Sequence, residues 1–120
     1  MIKGIGIDIC ELDRIEEAMK NNSRFIHRIL TEKEREKLDS ITSWKRKVEY
    51  TAGRFAVKEA YAKANGTGIG KELSFQDIEV VSHPNGKPEI LIKGVHNPHV
   101  FLSISHSSSF VVAQVVIEVD

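Results

Sequence analysis

Asp8 is the first residue with clear chemical potential, because it ends a segment in which glycine alternates with isoleucine. Over residues 4–9 the isoleucines would face one side of a strand, with Gly4, Gly6 and Asp8 on the other. We expect the isoleucine side to form core and the glycine side to be nearly bare. Glycine inside a strand often marks close approach by a ligand or another backbone. Asp8 is thus a candidate binding carboxylate, although an aspartate here is more often a helix cap or turn residue.

Glu59 and Lys63 form a second candidate pair. They are four residues apart in the segment from Phe55 to Ala64, so they would share one face of a helix. A Glu and Lys pair at this spacing is far more often a solvated surface pair than a catalytic one. The spacing alone therefore assigns the pair no role.

Three weaker features could also meet a ligand. The glycine loop of residues 66–70 could bring backbone amides to a phosphate, but it follows a helix and lacks the P-loop and dinucleotide fingerprints. Two serines precede His106 at alternating positions, yet no nucleophile elbow of the G-x-S-x-G kind is present. The basic run of residues 45–47, with Arg54, could contact phosphates or form the solvated face of a helix.

Composition limits the classes of protein to consider. The chain has 120 residues, 41% of them hydrophobic, which predicts one domain spanning residues 1–120. Seventeen basic residues balance seventeen acidic ones, which argues against a general binder of nucleic acid or membrane surfaces. Cys10 is the only cysteine, which excludes an intramolecular disulfide and fits a reducing cytosol. No apolar run approaches the roughly 20 residues of a membrane helix, so we expect a soluble, cytoplasmic protein.

Hydrophobic periodicity predicts one strand, then helices, then a run of antiparallel strands, an α+β fold with one long helix. The predicted strands cover residues 4–9, 77–82, 89–93, 100–105 and 110–119. The predicted helices are a region from Leu12 broken around residues 21–23, a short charged helix capped by Thr31 with Glu34, and a helix from about residue 44 to 64 stopped at Gly66. The last strand is apolar on both faces, which predicts burial in a homo-oligomer.

Taken together, the first two features resemble the paired signature of the 4′-phosphopantetheinyl transferase superfamily. The matching segments are Gly6-Ile7-Asp8 through Arg14-Ile15, and Phe55-Ala56-Val57-Lys58-Glu59-Ala60 with Lys63. The chain length and the flanking segments are similar to the short bacterial branch, the holo-acyl-carrier-protein synthases. Phe55 stands where other members often carry tryptophan, a departure that touches no proposed ligand.

The resemblance implies a fold, a cofactor and a reaction. Asp8 and Glu59 match the ligands of a Mg²⁺ ion, which usually takes one or two carboxylates plus substrate phosphates. The implied enzyme moves the 4′-phosphopantetheine group of coenzyme A onto a serine of apo acyl carrier protein, in support of fatty acid biosynthesis. Adenosine 3′,5′-bisphosphate leaves. Lys63 is the expected phosphate contact or proton-transfer group, and a water on the metal beside Asp8 or Glu59 is an equally good proton acceptor.

The resemblance also implies a homotrimer whose active sites lie between neighbouring subunits. Candidate residues for the coenzyme A pocket are Lys45, Arg46, Arg54, Gly66, His106 and Ser107. Because acyl carrier proteins of this kind are acidic, Arg14, Arg24 and Arg28 are the expected docking residues.

Two other classes of function remain open at this point. A non-catalytic adaptor would bind coenzyme A or acyl carrier protein without transfer, but it would not need both Asp8 and Glu59. A nucleic-acid binder would use the basic run of residues 45–47, but a basic domain and interleaved aromatic residues are lacking.

Overall fold

The computed structural model describes residues 1–119 and shows an α+β fold with two antiparallel three-stranded sheets. The strands are β1 (Ile2–Glu11), β2 (Ile78–Ser82), β3 (Pro88–Ile92), β4 (Val95–His96), β5 (Val100–His106) and β6 (Phe110–Glu118). The helices are α1 (Leu12–Asn21), α2 (Ser23–Ile29), α3 (Glu32–Ser40) and α4 (Trp44–Asn65), with a short 3-10 helix at Phe75–Asp77. One sheet has the order β1-β6-β5 and the other β2-β3-β4. The predicted fold class is confirmed.

Helix α4 is the central element, and its two ends have sequence signals. The Ser43 hydroxyl accepts a hydrogen bond from the Arg46 amide at 3.3 Å, and Gly66 stops the helix with φ of 84°, a conformation that glycine adopts without strain. The alanines of α4 are buried and pack against β1 and β6. Within residues 1–119, neither this helix nor any other is long and apolar enough to cross a membrane.

The two faces of β1 are the reverse of the predicted ones. Gly6 is buried, whereas Ile5, Ile7 and Ile9 are more than half exposed. A Cβ atom built on Gly6 would overlap the carbonyl oxygen of Ala60 in α4. The glycines therefore allow the backbone of α4 to approach β1 closely. The isoleucine face is left open on the outside of the sheet.

The helical region between β1 and α4 is divided where the sequence predicts. The Asn22 side chain accepts a hydrogen bond from the Arg24 amide at 3.0 Å and caps α2. Thr31 and Glu34 form a complete capping box at the start of α3. Glu34 itself is buried, so α3 is not charged on every side.

The predicted strands beyond α4 are confirmed with small corrections. Asp77 belongs to the 3-10 helix, so β2 begins one residue later, and β3 starts at Pro88 and ends at Ile92. The Asn85-Gly86 turn is present, with Gly86 at φ of 84°. The two-residue strand β4 was not predicted, because a strand this short has no periodicity to read.

Candidate functional site

Asp8 is brought beside α4 by the close contact of strand and helix. Gly4, Gly6 and Asp8 share one face of β1, and the two glycines lie against the backbone carbonyls of Ala64 and Ala60. Side chains larger than hydrogen at the glycine positions would hold α4 away from the strand. The next position on this face, Asp8, is thereby placed near the last turns of α4.

Lys63 is the direct partner of Asp8. Its ammonium donates to Asp8 Oδ1 at 3.1 Å and to the backbone carbonyl of Ile7 at 3.0 Å. The Asp8 side chain is 15% exposed and that of Lys63 is 52% exposed. A carboxylate at the edge of the interior is thus held by a cation that solvent, or a substrate, can reach.

Glu59 lies one turn before Lys63 and completes the cluster. Burial raises the pKa of Glu59, and the negative charge of Asp8 raises it further, while Lys63 and Arg28 lower it. The charges of Asp8, Lys63 and Arg28 therefore all influence the Glu59 carboxylate. Asp8 and Glu59 both line a cleft of about 370 Å³, together with Arg14, Phe55 and seven further residues.

The donor set fits a hard divalent cation that also binds a substrate. Asp8 and Glu59 supply carboxylate oxygens, the ligand type that Mg²⁺ prefers. Among residues 1–119, no three His, Cys, Asp or Glu side chains gather closely enough to hold a metal ion. The remaining ligands would have to come from water and from the phosphates of a bound substrate. This pattern is typical of Mg²⁺ sites that act on phosphates.

Cys10 lines the same cleft, in surroundings that disfavour its thiolate form. It is 9% exposed, and burial raises its pKa to about 11, with the charge of Asp8 adding to the effect. A thiol with this pKa stays protonated at neutral pH. Its buried side chain belongs to the main hydrophobic core.

The three arginines predicted to dock a partner lie on the helices that follow β1. All three are exposed, and Arg14 lines the cleft of Asp8 and Glu59. Arg24 and Arg28 lie on α2, and the Arg28 guanidinium lies 5.9 Å from the centre of the Phe75 ring. The side of the molecule next to the carboxylates therefore carries several cations.

The basic residues at the start of α4 are not brought to the carboxylates in one chain. Lys45 is about 21 Å from Glu59 along the helix, at 1.5 Å per residue, and Arg46 is one residue nearer. Arg54 is five residues before Glu59 and points about 140° away around the helix. It lines another cleft, of about 450 Å³, where its Nη2 donates to Ser82 Oγ at 3.1 Å and its guanidinium lies over the Tyr50 ring.

The other predicted pocket residues are also dispersed. Gly66 is exposed directly after α4, one turn beyond Lys63. His106 and Ser107 line a shallow depression of about 210 Å³ at the turn between β5 and β6. The Ser107 hydroxyl accepts hydrogen bonds from the amides of Ser109 and Phe110, so it also stabilises this turn.

Sequence reasoning missed two clusters. Lys58 is fully buried and paired with Glu34, although a lysine in a helix rich in charged residues reads as exposed. The available signal was its place on one face of α4 with Phe55 and Ala62, which lie three residues before it and four residues after it. His83 and His96 both contact the Glu89 carboxylate across the second sheet, and their spacing in the sequence gave no sign of this contact.

Comparison with known proteins shows the family of this chain. A model of the 4′-phosphopantetheinyl transferase superfamily matches residues 4–116. A holo-[acyl-carrier-protein] synthase of Listeria innocua is 51% identical over 98% of this chain and 99% of its own, and one from a Geobacillus species is 55% identical over 98% of each. A Bacillus anthracis synthase solved in complex with CoA (3′,5′-ADP) has a TM-score of 0.88 at 54% identity, covering 100% of this chain and 99% of its own.

The likeness extends to more distant bacteria. A Helicobacter pylori synthase solved in complex with coenzyme A is 35% identical, with a TM-score of 0.80, over 95% of this chain and 99% of its own. The chain therefore belongs to the 4′-phosphopantetheinyl transferase superfamily. Within this class of enzymes, the particular proteins that it matches over its full length are the holo-[acyl-carrier-protein] synthases.

Proposed function

We propose that Asp8, Glu59 and Lys63 form the active site at which this enzyme transfers the 4′-phosphopantetheine group from coenzyme A to a serine of apo acyl carrier protein. The observation that carries the assignment is the ion pair of Lys63 with Asp8, at 3.1 Å, in the cleft that Glu59 also lines. The names of the relatives and the coenzyme A complexes support the reaction and the co-substrate.

The reaction exchanges a phosphoanhydride bond of coenzyme A for a phosphate ester bond to serine. The serine hydroxyl loses its proton to water, and its oxygen forms a bond to the phosphorus that carries pantetheine. The bond from this phosphorus to the pyrophosphate bridging oxygen breaks, and adenosine 3′,5′-bisphosphate leaves. A Mg²⁺ ion held by Asp8 and Glu59 would neutralise charge on the pyrophosphate. Lys63 donates to two oxygens here, and its partly exposed side chain can reach the departing phosphate.

The carrier protein is proposed to dock on the side that carries the three arginines. Arg14 lines the cleft, and apolar Ile15, Ala18 and Phe25 line it next to the carboxylates. An acidic partner would be steered by the cations and would bury these apolar groups. This arrangement would bring a partner's serine to the mouth of the cleft.

Reversal of one docking charge is expected to weaken carrier binding selectively. Arg14→Glu should raise KM for the carrier by roughly ten-fold or more and KM for coenzyme A by less than about two-fold, because it adds repulsion toward an acidic partner. Initial rates with each substrate varied in turn would measure both constants. Lys93→Glu, an exposed reversal in the turn between β3 and β4, is the matched control and should change neither. An equal rise of both constants for Arg14→Glu would exclude the docking role.

A homotrimer is proposed to complete the coenzyme A pocket. In one chain, Arg54 and His106 line clefts other than that of Asp8 and Glu59. The outer face of the first sheet is largely apolar, with rows formed by Ile5, Val116 and Phe101 and by Ile9, Val112 and Ser105. Such a face on a small protein needs a partner. Copies packed through it would place residues of one subunit beside the carboxylates of the next.

A charge inside this face is expected to separate the subunits. Ile5 is 57% exposed beside Val116, so Ile5→Glu would place a carboxylate within the proposed interface. Light scattering at matched concentration should give a trimer for the unaltered chain and a monomer for the variant. Val95→Glu, at an apolar position on β4 that is 66% exposed, is the control and should stay trimeric. A monomeric unaltered chain would contradict the assembly.

The reaction itself is tested by its small product. The protein is incubated with coenzyme A, Mg²⁺ and an apo acyl carrier protein, and adenosine 3′,5′-bisphosphate is measured by chromatography. We expect stoichiometric release that stops with a chelator and does not occur when the acceptor serine of the carrier is replaced by alanine. Release that continues with the serine-free carrier would show hydrolysis of coenzyme A and overturn the proposed transfer.

The single cysteine agrees with a reducing compartment, and we propose that the enzyme acts in the cytoplasm.

A further inference from the structure

Lys58, the residue before Glu59, is the most deeply buried charged residue of α4. Its side chain is 0% exposed, and its ammonium donates to three oxygens. These are Glu34 Oε1 at 2.6 Å, the carbonyl of Ile29 at 2.7 Å and the carbonyl of Phe75 at 3.1 Å. A lysine ammonium has three donors, and all three have acceptors here. Lys58 therefore has no donor left for a substrate, and any role in the reaction is indirect.

Glu34 is equally well bonded. Its Oε1 also accepts from the Thr31 amide at 2.8 Å, and its Oε2 accepts from the Val80 amide at 2.8 Å. The pair of Glu34 and Lys58 thus joins α4 to the start of α3 and to β2. Replacing a buried ion pair by apolar groups is often neutral or stabilising, so its presence is weak evidence for a role in stability. A role in fixing the positions of α3, α4 and β2 relative to one another explains the buried pair better.

The element that Lys58 holds most directly is the end of α2. Ile29 is the last residue of α2, and its carbonyl accepts from Lys58. Arg28 precedes Ile29, and its guanidinium lies over the ring of Phe75, whose own carbonyl also accepts from Lys58. Lys58 therefore donates to the backbone next to Arg28 and to the backbone of Phe75, the residue whose ring lies beneath the Arg28 guanidinium.

A second side chain secures the same turn from outside. Gln76 Nε2 donates to the carbonyls of His27 and Leu30, each at 2.7 Å. Gln76 is exposed and belongs to the 3-10 helix that carries Phe75. It therefore links this short helix to the C-terminal end of α2 without contributing to the core.

We propose that Lys58 is a positioning residue that fixes Arg28 of α2 relative to the catalytic Glu59 of α4, with Gln76 as an outer support. The inference rests on the proposed function, in which Arg28 contacts the carrier protein and Glu59 serves the transfer. The neighbouring residues Lys58 and Glu59 thus have different functions. Lys58 faces inward and sets the distance between the docking surface and the reaction centre, and Glu59 faces the cleft.

A double-mutant cycle tests this role. The neutralised background is Glu34→Gln with Lys58→Met, which removes both buried charges together and avoids an unpaired one. Arg28→Ala is introduced into the unaltered chain and into this background, and KM for the carrier is measured in all four proteins. We expect Arg28→Ala to raise KM about ten-fold in the unaltered chain and less than about two-fold in the neutralised one, because Arg28 is already displaced there.

Arg14→Ala is the control for the cycle. Arg14 lies on α1, which Lys58 does not contact through any of its three hydrogen bonds. Its effect on KM should be the same in both backgrounds, since distant sites with no shared partners are additive. An effect of Arg28→Ala that is also the same in both backgrounds would show that Lys58 serves stability alone and would overturn the proposal.

Two further outcomes are distinguishable. If Arg28→Ala leaves KM unchanged in the unaltered chain, both the docking role of Arg28 and the proposal are wrong, whereas transfer activity itself still tests the proposed function. If circular dichroism shows that the neutralised background does not fold, Glu34→Gln with Lys58→Gln replaces it, because two amides keep part of the hydrogen bonding of the pair while still removing both charges. Arg28→Ala should then raise KM by no more than about three-fold, and a full ten-fold rise would overturn the proposal.

Discussion

Alanine in place of Asp8 or Glu59 is expected to lower turnover by at least about a thousand-fold while the fold persists, a loss of about 4 kcal/mol of transition-state stabilisation. Each carboxylate would be one of only two protein ligands to Mg²⁺. Asp8→Ala also removes the partner of Lys63. Initial rates of transfer, with thermal unfolding measured beside them, would check the prediction.

A carboxylate variant far from the cleft provides the control. Glu36 lies exposed on α3, and Glu36→Ala should retain full turnover. The unfolding midpoints of Asp8→Ala and Glu59→Ala should stay within a few degrees of the unaltered chain, because Asp8 and Glu59 are only partly buried. Turnover within ten-fold of normal in either variant would show that its carboxylate does not serve the reaction.

The second large effect is expected at Gly6. A methyl group there would overlap the carbonyl oxygen of Ala60, and both backbones belong to regular elements that cannot yield locally. Gly6→Ala should therefore destabilise the fold by at least about 3 kcal/mol and move α4 away from β1. At fixed protein concentration we expect the midpoint of thermal unfolding to fall by roughly 10 °C or more.

The residual activity of the folded fraction gives a second measurement of the same effect. Moving α4 would lengthen the distance between Lys63 and Asp8, so turnover per folded molecule should also fall. Gly70→Ala is the matched control, since an added Cβ there meets nothing within 4 Å, and both its stability and its activity should stay normal. A Gly6→Ala protein as stable as the unaltered chain would mean that strand and helix are not in close contact.

The helices were predictable because their signals are local. Asn22, the Thr31 and Glu34 capping box, and Gly66 each stabilise a helix end through bonds within a few residues, and each is present in the structure. The long helix needed only its composition and its two ends. The same locality explains the Asn85-Gly86 turn, where a positive φ at glycine reverses the chain.

The orientation of β1 was wrong because it depends on a partner remote in the sequence. Alternation shows that β1 has two different faces, but it does not show which one is covered. Isoleucine predicted a buried face and glycine an open one, whereas the glycines admit α4 and the isoleucines remain exposed. The exposed isoleucines agree with the proposed contact between copies, which a single sequence does not reveal directly.

The candidate site was also predicted only in part. Motif resemblance identified Asp8, Glu59 and Lys63, and the structure brings these three together. It could not identify Lys58 and Glu34 as a buried pair, because their contact joins residues 24 positions apart across two helices. Lys45, Arg46, Arg54, His106 and Ser107 stay predictions, since one chain alone does not bring them to the carboxylates.

The most direct test of the central claim is the intact mass of an apo acyl carrier protein after incubation with coenzyme A, Mg²⁺ and either this enzyme or its Asp8→Ala variant. We expect the unaltered enzyme to add the mass of one phosphopantetheine group, a gain that disappears with a chelator and returns when Mg²⁺ is restored. The variant should leave the carrier unmodified over the same time. An unmodified carrier with the unaltered enzyme, or an undiminished gain with the variant, would contradict transfer at the Asp8 and Glu59 cleft.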